Sequence, residues 1–405
     1  MSFQERNEEL MEPRVIIAGV GMECTGSMTV KAKNAAENAD ILIGARRILE
    51  GFEYLHKETC CSFDSREIAD IICRNNNKKI TALVSGDCGF FSGAKKLSEE
   101  LDRRGVKYEI IPGIASPVYL CARLGIGWER LRFVSLHGAE ANIVREVCSN
   151  EYVFALLGGE QDCGEVCRKL TEYGRGNVII YIGEKLGYPD EKITKGSAEE
   201  LSGVMTSRLC SMLIVNTDYE KFLGTGIPDD EFIRGKAPMT KAEIRCSAVS
   251  KLNIGENDIC WDIGSGTGSV SVEMAFRCPR GKVYAVEKDG ETAELSEKNF
   301  RKFGCDNVIS VCGRAENVMN ELPAPDCVFI GGSGGVLPEI VSAALGKNPS
   351  ARIVMTAVSL ETLMESECLG EREIVQITAA RTVKAGKYTM LRGENPVFVI
   401  RRLPQ

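Results

Sequence analysis

The sequence has no Cys-x-x-Cys pair and only two histidines, His56 and His137, although its 405 residues include 17 cysteines. Zinc and iron–sulfur sites draw on tighter Cys/His clusters. Cys60-Cys61 and Cys163-x-x-x-Cys167 come nearest, so no metal is expected. A basic excess is missing too: 50 Lys and Arg face 57 Asp and Glu, for a net charge of −7. A dedicated nucleic-acid binder carries the opposite balance. No apolar run approaches the ~20 residues needed to span a bilayer. The opening MSFQERNEELMEPR lacks the apolar stretch of a secretion signal. These absences predict a cytoplasmic chain with no nucleic-acid or membrane partner, its thiols mostly serving as small buried hydrophobes. Proline is scarce at 13 residues, and the 44% hydrophobic and 26% charged content is ordinary for folded protein. A disordered chain or a collagen-like rod is excluded.

What is present is alternation. Short β-branched runs at 14–20, 40–44, 79–85, 107–112, 132–137, 152–157 and 177–183 are interleaved with helical patterns such as 27–39 and 93–105. This predicts an α/β fold with a largely parallel sheet. After MLIVNT (212–217) the pattern pauses in a turn-rich, charged stretch, 218–239. A second series then begins at 258–264, 282–287, 307–313, 326–332 and 351–358. The expected division is 1–222 and 223–405, each half long enough for its own core.

In the second half, Asp262-Ile-Gly264-Ser265-Gly266-Thr267-Gly268 follows a strand and opens a helix. Glycines there let the backbone turn sharply and approach a ligand. Glu287 ends the next strand, where a carboxylate can accept both ribose hydroxyls of a nucleoside. A dinucleotide fingerprint would have a third glycine at Ser269. The G-x-G-x-G spacing, with an acid two residues ahead of it, instead suits S-adenosylmethionine, whose ammonium group Asp262 can accept. A nucleotide-dependent oxidoreductase is the alternative from another class. Gly313-Arg314-Ala315-Glu316 and Gly331-Gly-Ser-Gly-Gly335 follow later strands. Upstream, Thr240 and Glu243 have capping-box spacing. From 234 to 251 five basic residues face one acid. Arg234, Lys236, Lys241 and Arg245 are either a landing place for carboxylates or a solvated helix face, and the two readings stand level.

In the first half, Gly19-Val-Gly21 lacks both the Lys-Ser/Thr of a phosphate loop and a third glycine, and reads as a structural turn. Ser85-Gly86-Asp87-Cys88-Gly-Phe90-Phe91-Ser92 and Pro112-Gly-Ile-Ala-Ser116 are strand-to-helix turns, where α/β proteins collect ligands. Taken singly, Asp87 and Ser92 could be helix caps. His137 is either a polar strand end or an acid/base group.

These motifs resemble two families. GIPDDEFIRGKAPMTKAEIR, WDIGSGTGSVSVEMA, YAVEKD and VFIGGSGG, over about 226–402, resemble the decarboxylating C15-methyltransferases of cobalamin biosynthesis, which have a Rossmann-like class I fold. SGDCGFFS, PGIAS, LHG and GEKLGYPDEKI, over about 14–216, resemble the two-lobed tetrapyrrole methylases of class III, most nearly the C5-methylating member. The resemblance implies one S-adenosylmethionine site per half. Thr240, Asp262, Gly264, Ser265, Gly266, Thr267, Gly268, Glu287 and Ala315 would form the second site, and Gly86, Asp87, Phe90 and Ser116 the first. It also implies a precorrin or cobalt-precorrin substrate methylated at C5 and C15, loss of CO2 from the C12 acetate, and self-association into a homo-oligomer. Another tetrapyrrole, such as a sirohaem precursor, is the alternative substrate. Two departures stand out. Cys88 replaces a proline, which predicts a looser loop. Arg314 stands where many class I enzymes place an acid beside the adenine, leaving that contact to backbone and Ala315. Methyl transfer from a sulfonium needs placement and exclusion of water more than covalent help, and no catalytic base is assigned.

Overall fold

A computed structural model describes residues 14–22, 26–136, 142–158, 162–219 and 224–404. Residue 222, the expected boundary, and His137 lie outside the described residues.

The architecture is α/β. The first sheet is parallel throughout: β1 (Val15–Gly19), β2 (Ile41–Gly44), β3 (Glu58–Cys61), β4 (Ile80–Val84) and β5 (Tyr108–Ile111) lie in the order β3-β2-β4-β1-β5. Its inner strands are covered on both faces, so they read as continuous apolar runs; every residue of β2 is buried. The second sheet holds β6 (Arg132–Ser135), β7 (Tyr152–Leu156), β8 (Ile179–Glu184), β9 (Lys192–Ser197) and β10 (Cys210–Val215), ordered β6-β7-β10-β8-β9. Only its β6–β7 pair is parallel. The expectation of one largely parallel sheet is therefore corrected to one parallel and one mixed sheet. Only β8 and β9 are joined by a short connection, which returns the chain antiparallel; β10 then enters antiparallel between β7 and β8.

The third sheet contains β11 (Ile259–Ile263), β12 (Lys282–Glu287), β13 (Val308–Cys312), β14 (Cys327–Ile330), β15 (Arg352–Ala357), β16 (Arg372–Ile377) and β19 (Val397–Arg402), ordered β13-β12-β11-β14-β15-β19-β16. The chain runs outward from β11 to β13, then returns to the other side of β11 with β14. That reversal opens a crevice at the C-terminal ends of β11 and β14, where ligands of doubly wound sheets bind. β17 (Ala380–Ala385) and β18 (Tyr388–Gly393) form a separate antiparallel hairpin.

Polar contacts join the second and third sheets. The helix Ile143–Ser149 has its first turn capped from the other half of the chain: Asp306 accepts the amides of Val144 and Arg145, both at 3.1 Å. Free amides at a helix start need such an acceptor. Asn142 donates to the carbonyls of Pro279 and Gly281. The Arg145 guanidinium sits 4.4 Å from the centre of the Phe276 ring and donates to the Phe303 carbonyl.

Candidate active sites

The helix Ala242–Leu252 begins one residue later than a capping box headed by Thr240 requires, with Lys241 at its N-cap and no side-chain cap. This corrects the expected pairing. Glu243 turns outward to Arg381 at 2.5 Å, and Thr240 is left beside a cavity of about 1130 Å³. Thr240, Asp262, Gly264, Ser265, Gly266, Thr267, Glu287 and Ala315 all line that cavity.

The glycines have distinct physical roles. Gly264 (φ +74°) packs so tightly that a Cβ there would stand 2.8 Å from the Gly332 carbonyl oxygen. The loop after β11 thus touches the glycine run after β14. Gly268 (φ +74°) does not line the cavity, which corrects its assignment to the ligand. A Cβ there would meet the Phe300 ring at 2.5 Å, so this glycine lets the helix Ser269–Arg277 start against a neighbouring side chain.

Asp262 is buried, and Ser271 donates to its Oδ2, while its Oδ1 has no partner among the described residues. The Ser265 and Thr267 hydroxyls are buried without partners as well. Buried polar atoms are seldom left unsatisfied, and three around one glycine loop mark a surface built to meet a polar ligand. Glu287 accepts the Gly266 amide at 3.0 Å through Oε2 and the Asp289 amide at 3.1 Å through Oε1, keeping one lone pair on each oxygen. This set has the chemistry S-adenosylmethionine calls for: an open carboxylate oxygen at Asp262 to accept an ammonium, and free acceptor capacity at Glu287 for ribose hydroxyls.

Burial pushes the Asp262 carboxyl up to about 7, with the Ser271 bonds opposing the rise and the Glu287 charge adding to it. A raised carboxyl stabilises the ligand-free fold below about pH 4 and loses that contribution as pH rises through about 7. A bound ammonium favours the ionised carboxylate, so a cofactor bound with its ammonium at Asp262 would release this proton. Cofactor affinity should rise about tenfold from pH 6 to pH 8, and Asp262→Asn should flatten that component. Calorimetry on both proteins checks it, because the difference between the two profiles removes the ligand's own amine. Parallel profiles would contradict this role for Asp262.

Of the four basic residues expected to hold carboxylates, only Lys241 lines the cavity, and it lies 3.6 Å from Asp229. Arg234 and Lys236 are exposed away from it. Arg245 is fully buried. Its guanidinium donates to Glu273 at 2.6 Å, the Thr240 carbonyl at 2.6 Å, Asp229 at 3.3 Å and the Ile227 carbonyl. It also stacks 4.8 Å from the centre of the Phe232 ring. Arg245 is therefore a structural tie, and its assignment to substrate is corrected. The cavity's other cations, Lys288, Arg314, Arg381 and Arg392, were not assigned from sequence.

The second cavity, of about 610 Å³, lies between the first two sheets and is lined by Gly86, Asp87, Phe90 and Ser116. Asp87 has little carboxylate to spare. Its Oδ1 accepts the Gly89 amide at 2.8 Å and its Oδ2 the Gly113 amide at 2.9 Å, so it ties the two turns together. That closeness explains the glycines: a Cβ on Gly113 would sit 2.2 Å from the Gly86 carbonyl oxygen. Gly21 and Gly86 exchange both backbone hydrogen bonds at 3.0 Å, which accounts for Gly19-Val-Gly21 as a structural turn. The loop is not loosened at Cys88. Its buried thiol donates to the Ile111 carbonyl at 3.3 Å, and burial raises it to about 11. Ser211 contributes a buried hydroxyl without a partner among the described residues. The rim carries two rings that sequence reading left unassigned. Phe63 is 89% exposed, and Phe91 is 55% exposed and held at φ +43°, a strained backbone for a bulky residue.

Among the described residues no His, Cys, Asp or Glu grouping could hold a metal ion, and no helix is long and apolar enough to cross a membrane.

Comparison with known proteins divides along the same lines. Residues 14–202 match the model of the tetrapyrrole (corrin/porphyrin) methylases and residues 231–402 that of the precorrin methyltransferase domain. A probable cobalt-precorrin-6B C(15)-methyltransferase (decarboxylating) from Pyrobaculum calidifontis is 44% identical over 183 residues, 43% of this chain and 94% of that protein. A precorrin-6Y C(5,15)-methyltransferase [decarboxylating] from a Sinorhizobium species is 24% identical over 398 residues, 96% of each chain. A crystal structure described as precorrin-6y C5,15-methyltransferase from Geobacter metallireducens is 38% identical, with a TM-score of 0.42, covering 44% of this chain and 96% of that one.

Proposed function

Because the chain belongs to the precorrin methyltransferase family, with a tetrapyrrole methylase segment ahead of the decarboxylating C15-methyltransferase segment, we propose that it serves cobalamin biosynthesis by methylating a precorrin-6B or cobalt-precorrin-6B type tetrapyrrole at C5 and C15. The second half also removes CO2 from the C12 acetate, the macrocycle taking up the bonding electrons. Methyltransferases of this family use S-adenosylmethionine, which when bound supplies an electrophilic methyl group. We assign one cofactor site to each cavity.

The observation that carries this reading is that one chain holds two cavities, each at the C-terminal edge of a sheet where glycine turns meet and each bordered by unpartnered buried polar atoms. In the second half, Asp262 and Glu287 orient the cofactor by its two ends, and Gly264 and Gly266 let the backbone close on it. Ile244, Val270 and Phe329 give the cavity apolar walls, which exclude water from the reacting carbon. Placement of this kind lowers the barrier without a protein base. Incubating the protein with S-adenosylmethionine and precorrin-6B, followed by mass spectrometry, tests the function. Two added methyl groups and loss of CO2 are expected, and unchanged substrate would refute it.

We also propose that 1–222 and 223–405 fold as separate units, since among the described residues no sheet takes strands from both. Expressed apart, each piece should be soluble and unfold cooperatively in denaturant. Two insoluble or non-cooperative pieces would show the division to be wrong.

A further inference from the structure

The hairpin of β17 and β18 sets two arginines directly opposite each other: Arg381 pairs with Arg392 across the strands, and both line the larger cavity. Like charges in that position repel, so each needs a counter-charge. Arg381 has three: Glu243 at 2.5 Å, Glu394 at 3.0 Å and Asp229 at 3.6 Å. Arg392 pairs with no carboxylate among the described residues.

Arg381 is thereby held in place by carboxylates from three different segments, which anchors the hairpin to the helix Ala242–Leu252. Arg392 is carried on that anchored hairpin with its guanidinium uncompensated. Alternation along the strands puts Val383 on the same face, and Val383 and the 73%-exposed Val358 supply apolar surface to the same cavity. A rigidly mounted free guanidinium beside exposed apolar side chains is complementary to a flat, apolar ring fringed with carboxylates. Arginine's planar fork suits a carboxylate better than a lysine does.

We propose that Arg392 binds a peripheral carboxylate of the tetrapyrrole and so positions the macrocycle over the C-terminal cofactor site, with Arg381 as the anchor that holds the hairpin. This rests on the reading of that site given above and replaces Arg245 as the substrate's cation. Losing one charge-assisted hydrogen-bonded contact should raise the tetrapyrrole KM of C15 methylation about 10–100-fold. The full-length Arg392→Gln and Arg392→Lys variants would be assayed for C15 methylation, with S-adenosylhomocysteine affinity and melting temperature measured beside it. The expected pattern for Arg392→Gln is a raised KM, kcat at saturation within about threefold, and unchanged cofactor affinity and melting temperature. Arg392→Lys should recover part of the loss, and added salt should narrow the gap between wild type and Arg392→Gln. An unchanged KM in an active Arg392→Gln protein overturns the proposal and leaves the function standing. A wild-type protein that binds S-adenosylhomocysteine and methylates no tetrapyrrole overturns both.

Discussion

Replacing Arg245 with Met is expected to destabilise the C-terminal half by about 3–5 kcal/mol, the cost of leaving a buried charge without its partner. Glu273 is as fully buried as Arg245, and its Oε1 also accepts the amides of Gly226 and Ile227 at 3.0 Å. Without the guanidinium, that carboxylate keeps two backbone donors and no counter-charge. The Thr240 and Ile227 carbonyls lose their donors at the same time. For a unit of this size the loss corresponds to a drop in melting temperature of roughly 6–20 °C. Adding Glu273→Gln keeps an acceptor for the two amides and removes the stranded charge, so the double variant should recover part of the stability. A double-mutant cycle read by denaturant unfolding measures the coupling. A variant that unfolds like wild type but binds tetrapyrrole poorly would return Arg245 to the substrate.

Glu287→Ala should weaken S-adenosylmethionine binding at the C-terminal site by tenfold or more. Two charge-assisted hydrogen bonds to the ribose are lost, each contributing about 1.5–3 kcal/mol. The same carboxylate holds the Gly266 amide, so its removal also frees the loop that closes on the ligand. The N-terminal cavity does not include Glu287, and the N-terminal affinity should stay at its wild-type value. Equal loss at both sites would break the assignment.

Much of this was legible in sequence because the third sheet alternates long apolar strands with glycine turns. The β12 run was read at its observed bounds, Lys282–Glu287. Strands without a buried face left no such signal. β3 is an edge strand, largely exposed, and every residue of β18 is exposed, so neither shows apolar alternation. The hairpin's cations were therefore missed at the cavity they line. Arg245 was misplaced for a different reason: its position in a basic run is local, but its partner Glu273 is 28 residues away and meets it only in the fold. Asp87 likewise has the residue type expected at a ligand site, yet its acceptor capacity goes to Gly89 and to Gly113, 26 residues on. Gly268 shows the converse. Its glycine is required, but by Phe300 rather than by a ligand.

One chain is expected to carry two cofactor sites of separate construction. Calorimetric titration of the full-length protein with S-adenosylhomocysteine counts them. Two sites per chain are predicted for the wild type, with only the C-terminal one weakened in Glu287→Ala. A single site in the wild type, abolished by Glu287→Ala, would contradict it.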